Sequence, residues 1–248
     1  MAAGKDLATL APADLAMLED FHTMGRFATA ALVAAAGIGP HDRVLDAGAG
    51  LGGTARFVAH TIGSHVTAVD LTPEYCDAAE WLTELVGLTG RVTVTCANVC
   101  ALPFPDASFD VVVSQHVQMN IADKAVLYSE LRRVLAPGGR LALWDVVAGT
   151  GEALTFPLPW ANDPTSSHLV SSPALRALVE AAGFAADTWD DLTASTLEPL
   201  RGFLAAPPQP LGLHVFVPDF AVKAGNLLDN LAHGRARLIR AVLVANST

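Results

Sequence analysis

The chain has 248 residues and a formal net charge of −10. At roughly 150 residues per domain, that length fits one or two domains and needs no disulfide or metal staple. A 52% hydrophobic, 16% charged composition excludes a disordered chain, and the acidic balance argues against nucleic acid or an anionic membrane as the main partner.

The N-terminal stretch MAAGKDLATLAPADLAMLED carries acids where a signal peptide would be apolar. The most apolar run, Ala28 to Ile38, has 11 residues, against about 20 for a membrane span. A cytoplasmic protein is expected. Cys76, Cys96 and Cys100 are odd in number and lack paired zinc spacing, so they read as free thiols in a reducing compartment.

Residues 1–40 read as helices ahead of the first strand. Strands are predicted at Val44–Ala47, His65–Asp70, Val92–Ala97, Asp110–Gln115 and Arg140–Val146, all nearly continuous apolar runs of the kind a doubly covered parallel sheet requires. Helix signals alternate with them. Thr72 and Pro73 open one that Gly87 closes. Asp123 caps another, whose Leu127, Leu131, Val134 and Leu135 share a face. Ser172-Pro173 starts a third, with Leu175, Leu178, Val179 and Ala182 inward. Residues 148–170 and 193–220 are rich in Pro, Ser and Thr and read as loops or lid pieces. A helix over Ala221–His233 precedes a last strand at Arg237–Val244. The alternation predicts an α/β doubly wound sheet. One domain is expected over 1–248, with a helical cap at 1–40, a core at 41–147, and substrate-side insertions with C-terminal strands at 148–248.

The strongest site signal is the run VLDAGAGLGG, Val44 to Gly53. A buried strand enters a glycine cluster and a helix opens near Thr54. Bare glycine backbone admits a ligand closely, and the helix start offers unpaired N–H groups. Gly48, Gly50 and Gly53 match G-x-G-x-x-G, which alone also suits a nicotinamide dinucleotide. Asp46 at the strand end would repel a pyrophosphate but suits a ligand bearing an ammonium and a sulfonium. Asp70 ends the next strand and can accept from both hydroxyls of a ribose, in either class.

VLDAGAGLGG, TAVDLTPE (Thr67–Glu74), CANVCALPFPDASFDVVVSQ (Cys96–Gln115) and ELRRVLAPGGRLAL (Glu130–Leu143), in that order, resemble the class I S-adenosylmethionine-dependent methyltransferases over about 100 contiguous residues. HVQMNIADK (His116–Lys124) and SPALRALVEAAGF (Ser172–Phe184) are similar to the small-molecule branch of sarcosine/dimethylglycine and quinone enzymes. The resemblance implies a Rossmann-like seven-stranded sheet with an antiparallel last strand. It implies S-adenosyl-L-methionine as cofactor, with Asp46, Gly48 and Gly50 around the methionyl part and Asp70 on the ribose. Leu71 lies beside the adenine, Asn98 and Val99 bracket its edge, and Gln115 faces the cofactor. Where many relatives carry Gly-Asp, this chain has Ala97-Asn98, so the adenine contact becomes neutral. Arg26 or the Gly25 backbone would meet the cofactor carboxylate.

Methyl transfer from a sulfonium depends mostly on orientation. A base matters only where the acceptor must lose a proton. Of eight histidines, His116 is the leading base candidate because it follows the strand tip where the family places substrate. His22 is the second catalytic candidate. Trp160 and His168 are the substrate-binding candidates, and Phe203 and Phe216 would line an apolar lid. No residue pattern suggests a metal. The expected partner is a small, apolar or aromatic acceptor methylated on O, N or C, with the chain a monomer or homodimer. The alternatives are a cofactor-binding protein without turnover and, less favoured, a nicotinamide oxidoreductase.

Overall fold

The computed structural model describes residues 9–207 and 212–246. Residues 1–8 of the expected cap, 208–211 of the expected lid and the last two residues lie outside these bounds. Seven strands form one sheet: β1 (Arg43–Ala47), β2 (His65–Asp70), β3 (Val92–Cys96), β4 (Phe109–Gln115), β5 (Leu135–Ala148), β6 (Phe184–Asp191) and β7 (Ala236–Ala245). Their order is β3-β2-β1-β4-β5-β7-β6. The first five are parallel, and β7 runs antiparallel between β5 and β6. The Rossmann-like expectation and the antiparallel last strand are both met.

Helices cover both faces: α1 (Pro12–Glu19), α2 (Gly25–Ala36), α3 (Gly53–Thr61), α4 (Pro73–Leu85), α5 (Lys124–Val134), α6 (Ser172–Ala181), α7 (Thr193–Ala205) and α8 (Phe220–Ala232). The two-residue period of the strands splits the core in two. Val44, Val111, Val113 and Trp144 face Leu32, Val58, Leu227 and Leu231 on one side. Leu45, Val112, Leu141 and Leu143 face Leu127, Leu131, Leu175 and Val179 on the other.

Three readings change. β6 was not identified from sequence, because Ala and Asp are poor strand formers and the strand is half-exposed at a sheet edge. Residues 193–205, expected as loop, form α7 despite Pro199 inside it. Its Thr196 and Leu200, four apart, bury one face, and the helix packs on α8 and β7. β5 starts five residues early, at Leu135, because a register shift against β4 accommodates Pro137-Gly138-Gly139. A methyl group on Gly139 would stand 2.8 Å from the Ala136 carbonyl oxygen and 3.0 Å from that of Asp110, so only glycine passes there.

Caps follow the sequence with small shifts. Asp123 accepts from the Val126 N–H at 3.0 Å. Ser171 rather than Ser172 caps α6. The Thr72 side chain makes no cap bond; the Thr72 N–H donates to Asp70 instead. Among the described residues, no helix is long and apolar enough to cross a membrane.

Candidate active site

The parallel strands deliver their tips to one end of the sheet, where loops gather ligands in α/β folds. Beyond β1 the chain turns through Gly48, Gly50 and Gly52, with φ of 80°, 53° and 80°. A methyl group on Gly48 would stand 2.4 Å from Val117 Cγ2, so this glycine permits close packing. One on Gly50 would meet nothing within 4 Å, leaving that backbone open to a ligand. Gly52 ends the turn and α3 begins at Gly53.

Asp70 ties the turn to the β2 tip. One of its oxygens accepts from the Gly50 N–H at 2.8 Å and the other from the Thr72 N–H at 3.0 Å. Asp46 sits behind the turn, 3% exposed, and accepts from the Ala55 N–H at 3.0 Å. Burial pushes its carboxyl up to about 7. Leu71 is 66% exposed beside Asp70, while Val99 is buried. Asn98 Oδ1 accepts from the Cys100 N–H at 2.9 Å, forming a local turn.

At the β4 tip, Gln115 Oε1 accepts from Thr54 Oγ1 at 2.8 Å and from Thr29 Oγ1 at 3.5 Å. Gln115 Nε2 is buried without a partner, as are Thr23 Oγ1 and His22 Nδ1. His116 follows with φ +55°. Its N–H donates to the Trp144 carbonyl at 2.9 Å, and its Nε2 accepts from the Thr23 N–H at 3.4 Å. The His22 ring stands edge-on, 6.2 Å away between centroids, with Nε2 3.1 Å from Thr29 Oγ1. Burial lowers His22 to about 4 and His116 well below its ordinary value, so both imidazoles are neutral at pH 7.

These two rings line a cavity of about 370 Å³ whose other walls come from the segment 16–27, α7 and α8, with Pro159 and Leu213. Phe21, Met24, Leu200, Phe203, Leu204 and Leu227 make it apolar. Its only charged lining groups among the described residues, Asp20 and Arg26, pair with each other at 2.7 Å. Arg26 also donates to Glu19 at 2.8 Å, so it is engaged within its own segment. Glu19 in turn accepts from Arg56, which is fully buried and also donates to the carbonyls of Leu51 and Ala79 and to Thr83 Oγ1. Burial raises the Glu19 and Asp20 carboxyls, against the opposing pull of the two arginines. This network fastens α1 across the start of α3.

His116, His22 and Phe203 therefore meet in the cavity. Trp160 and His168 do not line it: the Trp160 indole donates to Ser167 Oγ at 3.0 Å, and His168 is held through its N–H on the Met119 carbonyl. Phe216 packs edge-on against Phe21 instead, at 6.4 Å. Sequence reasoning missed Leu200, Leu204 and Leu227, whose apolar pattern does not differ from that of core residues. It also missed the Glu19–Arg56 pair, whose one visible signal is an arginine within the otherwise buried face of α3. Among the described residues no cluster could hold a metal ion.

Residues 45–143 match the family model described as a methyltransferase domain. The glycine/sarcosine/dimethylglycine N-methyltransferase of Actinopolyspora halophila is 35% identical over 52% of this chain and 23% of that protein. The 2-methyl-6-phytyl-1,4-hydroquinone methyltransferase of Synechocystis sp. is 36% identical over 59% of this chain and 44% of that one. The chain thus spans less than half the length of these two relatives. A geranyl diphosphate C-methyltransferase from Streptomyces coelicolor A3(2), solved with Mg2+, geranyl diphosphate and S-adenosyl-L-homocysteine, shares the fold. Its TM-score is 0.74 at 19% identity, covering 88% of this chain and 77% of that one.

Proposed function

We propose, from the methyltransferase domain carried at residues 45–143, that the chain moves a methyl group from S-adenosyl-L-methionine to an uncharged, apolar small molecule. The observation that carries this reading is the junction at the strand tips. There an open glycine turn, braced by Asp70, packs against Val117, the residue after His116, whose ring lines an apolar cavity with that of His22.

The residues fit the cofactor. Leu71 is a large apolar side chain standing in solvent beside Asp70, a place a flat heterocycle would cover. Gln115 Nε2 and Thr23 Oγ1 are buried polar atoms lacking partners, which an amino-acid moiety would supply. When bound, the cofactor supplies an electrophilic methyl on a sulfonium. Asp70, Leu71, Asn98 and Val99 would hold its nucleoside, and the Gly48–Gly50 turn, Thr23 and Gln115 its methionyl part. Asp46 would act through α3, whose first turn it braces.

The acceptor would lie in the cavity. Arg26 is neutralised by Glu19 and Asp20, so nothing in the lining balances a carboxylate or a phosphate. A phenol or enol fits better, its apolar body against Leu200, Phe203 and Leu227 and its hydroxyl toward His116 and His22. His116 would accept the hydroxyl proton as the methyl arrives. Its depressed basicity makes orientation the larger contribution, and alignment alone can supply roughly 7–11 kcal/mol.

Isothermal titration with S-adenosylmethionine tests the cofactor assignment; no binding at hundreds of micromolar would reject it. Release of S-adenosylhomocysteine is then measured across neutral phenols and enols, with amino acids and diphosphates alongside. Turnover confined to the charged acceptors would overturn the acceptor assignment.

A further inference from the structure

Among the described residues, Asp145 is the one fully buried carboxylate that the proposed chemistry does not use. It lies on β5, next to Trp144, and its two oxygens gather four donors. One accepts from the N–H groups of Val117 and Gln118, each at 3.3 Å. The other accepts from its neighbour's N–H, that of Val146, at 2.9 Å and from Gln118 Nε2 at 3.4 Å. Gln118 Nε2 also donates to the Val146 carbonyl at 2.6 Å. Among the described residues its hydrogen-bond donors are all amides, and the buried Lys124 acts on it only through its charge.

The donors belong to a special turn. His116 holds a left-handed backbone, which a side chain bearing Cβ rarely adopts and which the surroundings must enforce. Its own N–H is taken by the Trp144 carbonyl. The next two N–H groups end on Asp145. Val117, which gives the first of them, is the residue that fills the space beside Gly48. A buried carboxylate with no cation in hydrogen-bond contact is a costly way to fill a core position. What it offers in return is two oxygens that take several donors at fixed angles.

We propose that Asp145 is the positioning residue of this site: by collecting the N–H groups of the turn after His116, it aims the His116 ring into the cavity and seats Val117 against the glycine turn. One buried group thereby sets both the acceptor end and the cofactor end. The catalytic value of that placement rests on the function proposed above; the placement itself does not.

The test is Asp145→Asn, which keeps the shape, removes the charge and replaces one acceptor by a donor. Protein carrying 13C-labelled histidine reports each imidazole separately, and His116→Gln assigns the His116 signal. In Asp145→Asn the His116 signal shifts or broadens while those of surface His60 and His65 stay in place, and the dissociation constant for S-adenosylhomocysteine rises at least fivefold. An unmoved His116 signal with unchanged affinity overturns the proposal.

Should Asp145→Asn not fold, the wild-type protein decides through pH. Burial raises the Asp145 carboxyl to about 7. The titratable groups facing it are Tyr128 and Lys124 on α5 and His116 in its own turn; Ile239 opposes it from β7. Tyr128 is pushed upward, and His116 is neutral throughout this range. Wherever the Asp145 carboxyl titrates, the Val117 and Gln118 amide signals and the His116 ring move together with one midpoint; a transition at those amides that leaves the His116 ring unmoved overturns the proposal. A wild-type protein that binds no S-adenosylhomocysteine overturns the function proposed above, while the histidine spectra still decide the role of Asp145.

Discussion

The two walls of the site are built on different principles. At the strand tips, short-range spacing sets the geometry: Asp46, Gly48, Gly50 and Asp70 lie at the ends of adjacent strands, and backbone N–H groups bond to carboxylates. Across the cavity, residues 16–27, α7 and α8 come from opposite ends of the chain, and apolar contact joins them. The first wall is rigid sheet and suits chemistry that every substrate shares. The second is a packed apolar surface that can change without disturbing the sheet, and suits the choice of acceptor.

The join between the walls is the buried pair of Glu19 and Arg56. Breaking it should give the largest effect of all. Glu19→Ala leaves an uncompensated guanidinium in the interior, and such changes cost about 3–5 kcal/mol. Denaturant unfolding should show that loss. A loss under about 1 kcal/mol would mean that α1 rests on the fold without fastening it.

The walls should also respond oppositely to pH. Asp46, at the strand tips, has its folded carboxyl raised from 3.8 to about 7. Between those values the folded state keeps a proton that the unfolded chain has shed. Its contribution is therefore full below about 4 and is lost as pH rises toward 7. His22, in the segment across the cavity, is lowered from 6.5 to about 4, so its contribution grows as pH rises over that interval. Asp46→Asn should tilt the stability curve upward with pH, and His22→Gln downward, each by at most about 1.4 kcal/mol per pH unit. Parallel tilts would contradict the burial argument.

Much of the first wall was legible because its determinants are local. The alternation of strand and helix, the Val44–Gly53 run and the acid at the end of β2 each lie within ten or so residues, and the resemblance aligned them. The second wall was not legible. Residues 193–205 looked like loop because Ser, Thr and Pro dominate their local signal, and only packing on α8 and β7 makes them helix. Trp160 and His168 were attractive as residue types, yet chain position alone could not tell a cavity wall from a surface loop. Asp145 passed unnoticed because an acid within an apolar strand has no periodicity to betray its role.

Two substitutions at the strand tips compare positioning with direct chemistry. His116→Ala should slow methyl transfer to a hydroxylated acceptor by about 10². Loss of less than threefold would leave orientation as the whole effect. Asp70→Ala removes the acceptor for the Gly50 and Thr72 N–H groups and, on the function proposed above, the ribose contact. The dissociation constant for S-adenosylmethionine should rise about tenfold, which is ~1.4 kcal/mol. An unchanged constant would separate Asp70 from the nucleoside.

The smallest effect tests the division most sharply. Phe203 lines the cavity but is 48% exposed, so Phe203→Ser removes little buried surface. At about 25 cal/mol per Å² of apolar area, a half-exposed ring should cost less than about 1.5 kcal/mol of stability. Calorimetric affinity for S-adenosylmethionine should stay within twofold, because Phe203 belongs to the wall away from the glycine turn. The KM for an apolar acceptor should rise severalfold with kcat little changed, the pattern of lost ground-state contact. If cofactor affinity fell instead, α7 would be part of the cofactor's enclosure and the two walls would be one.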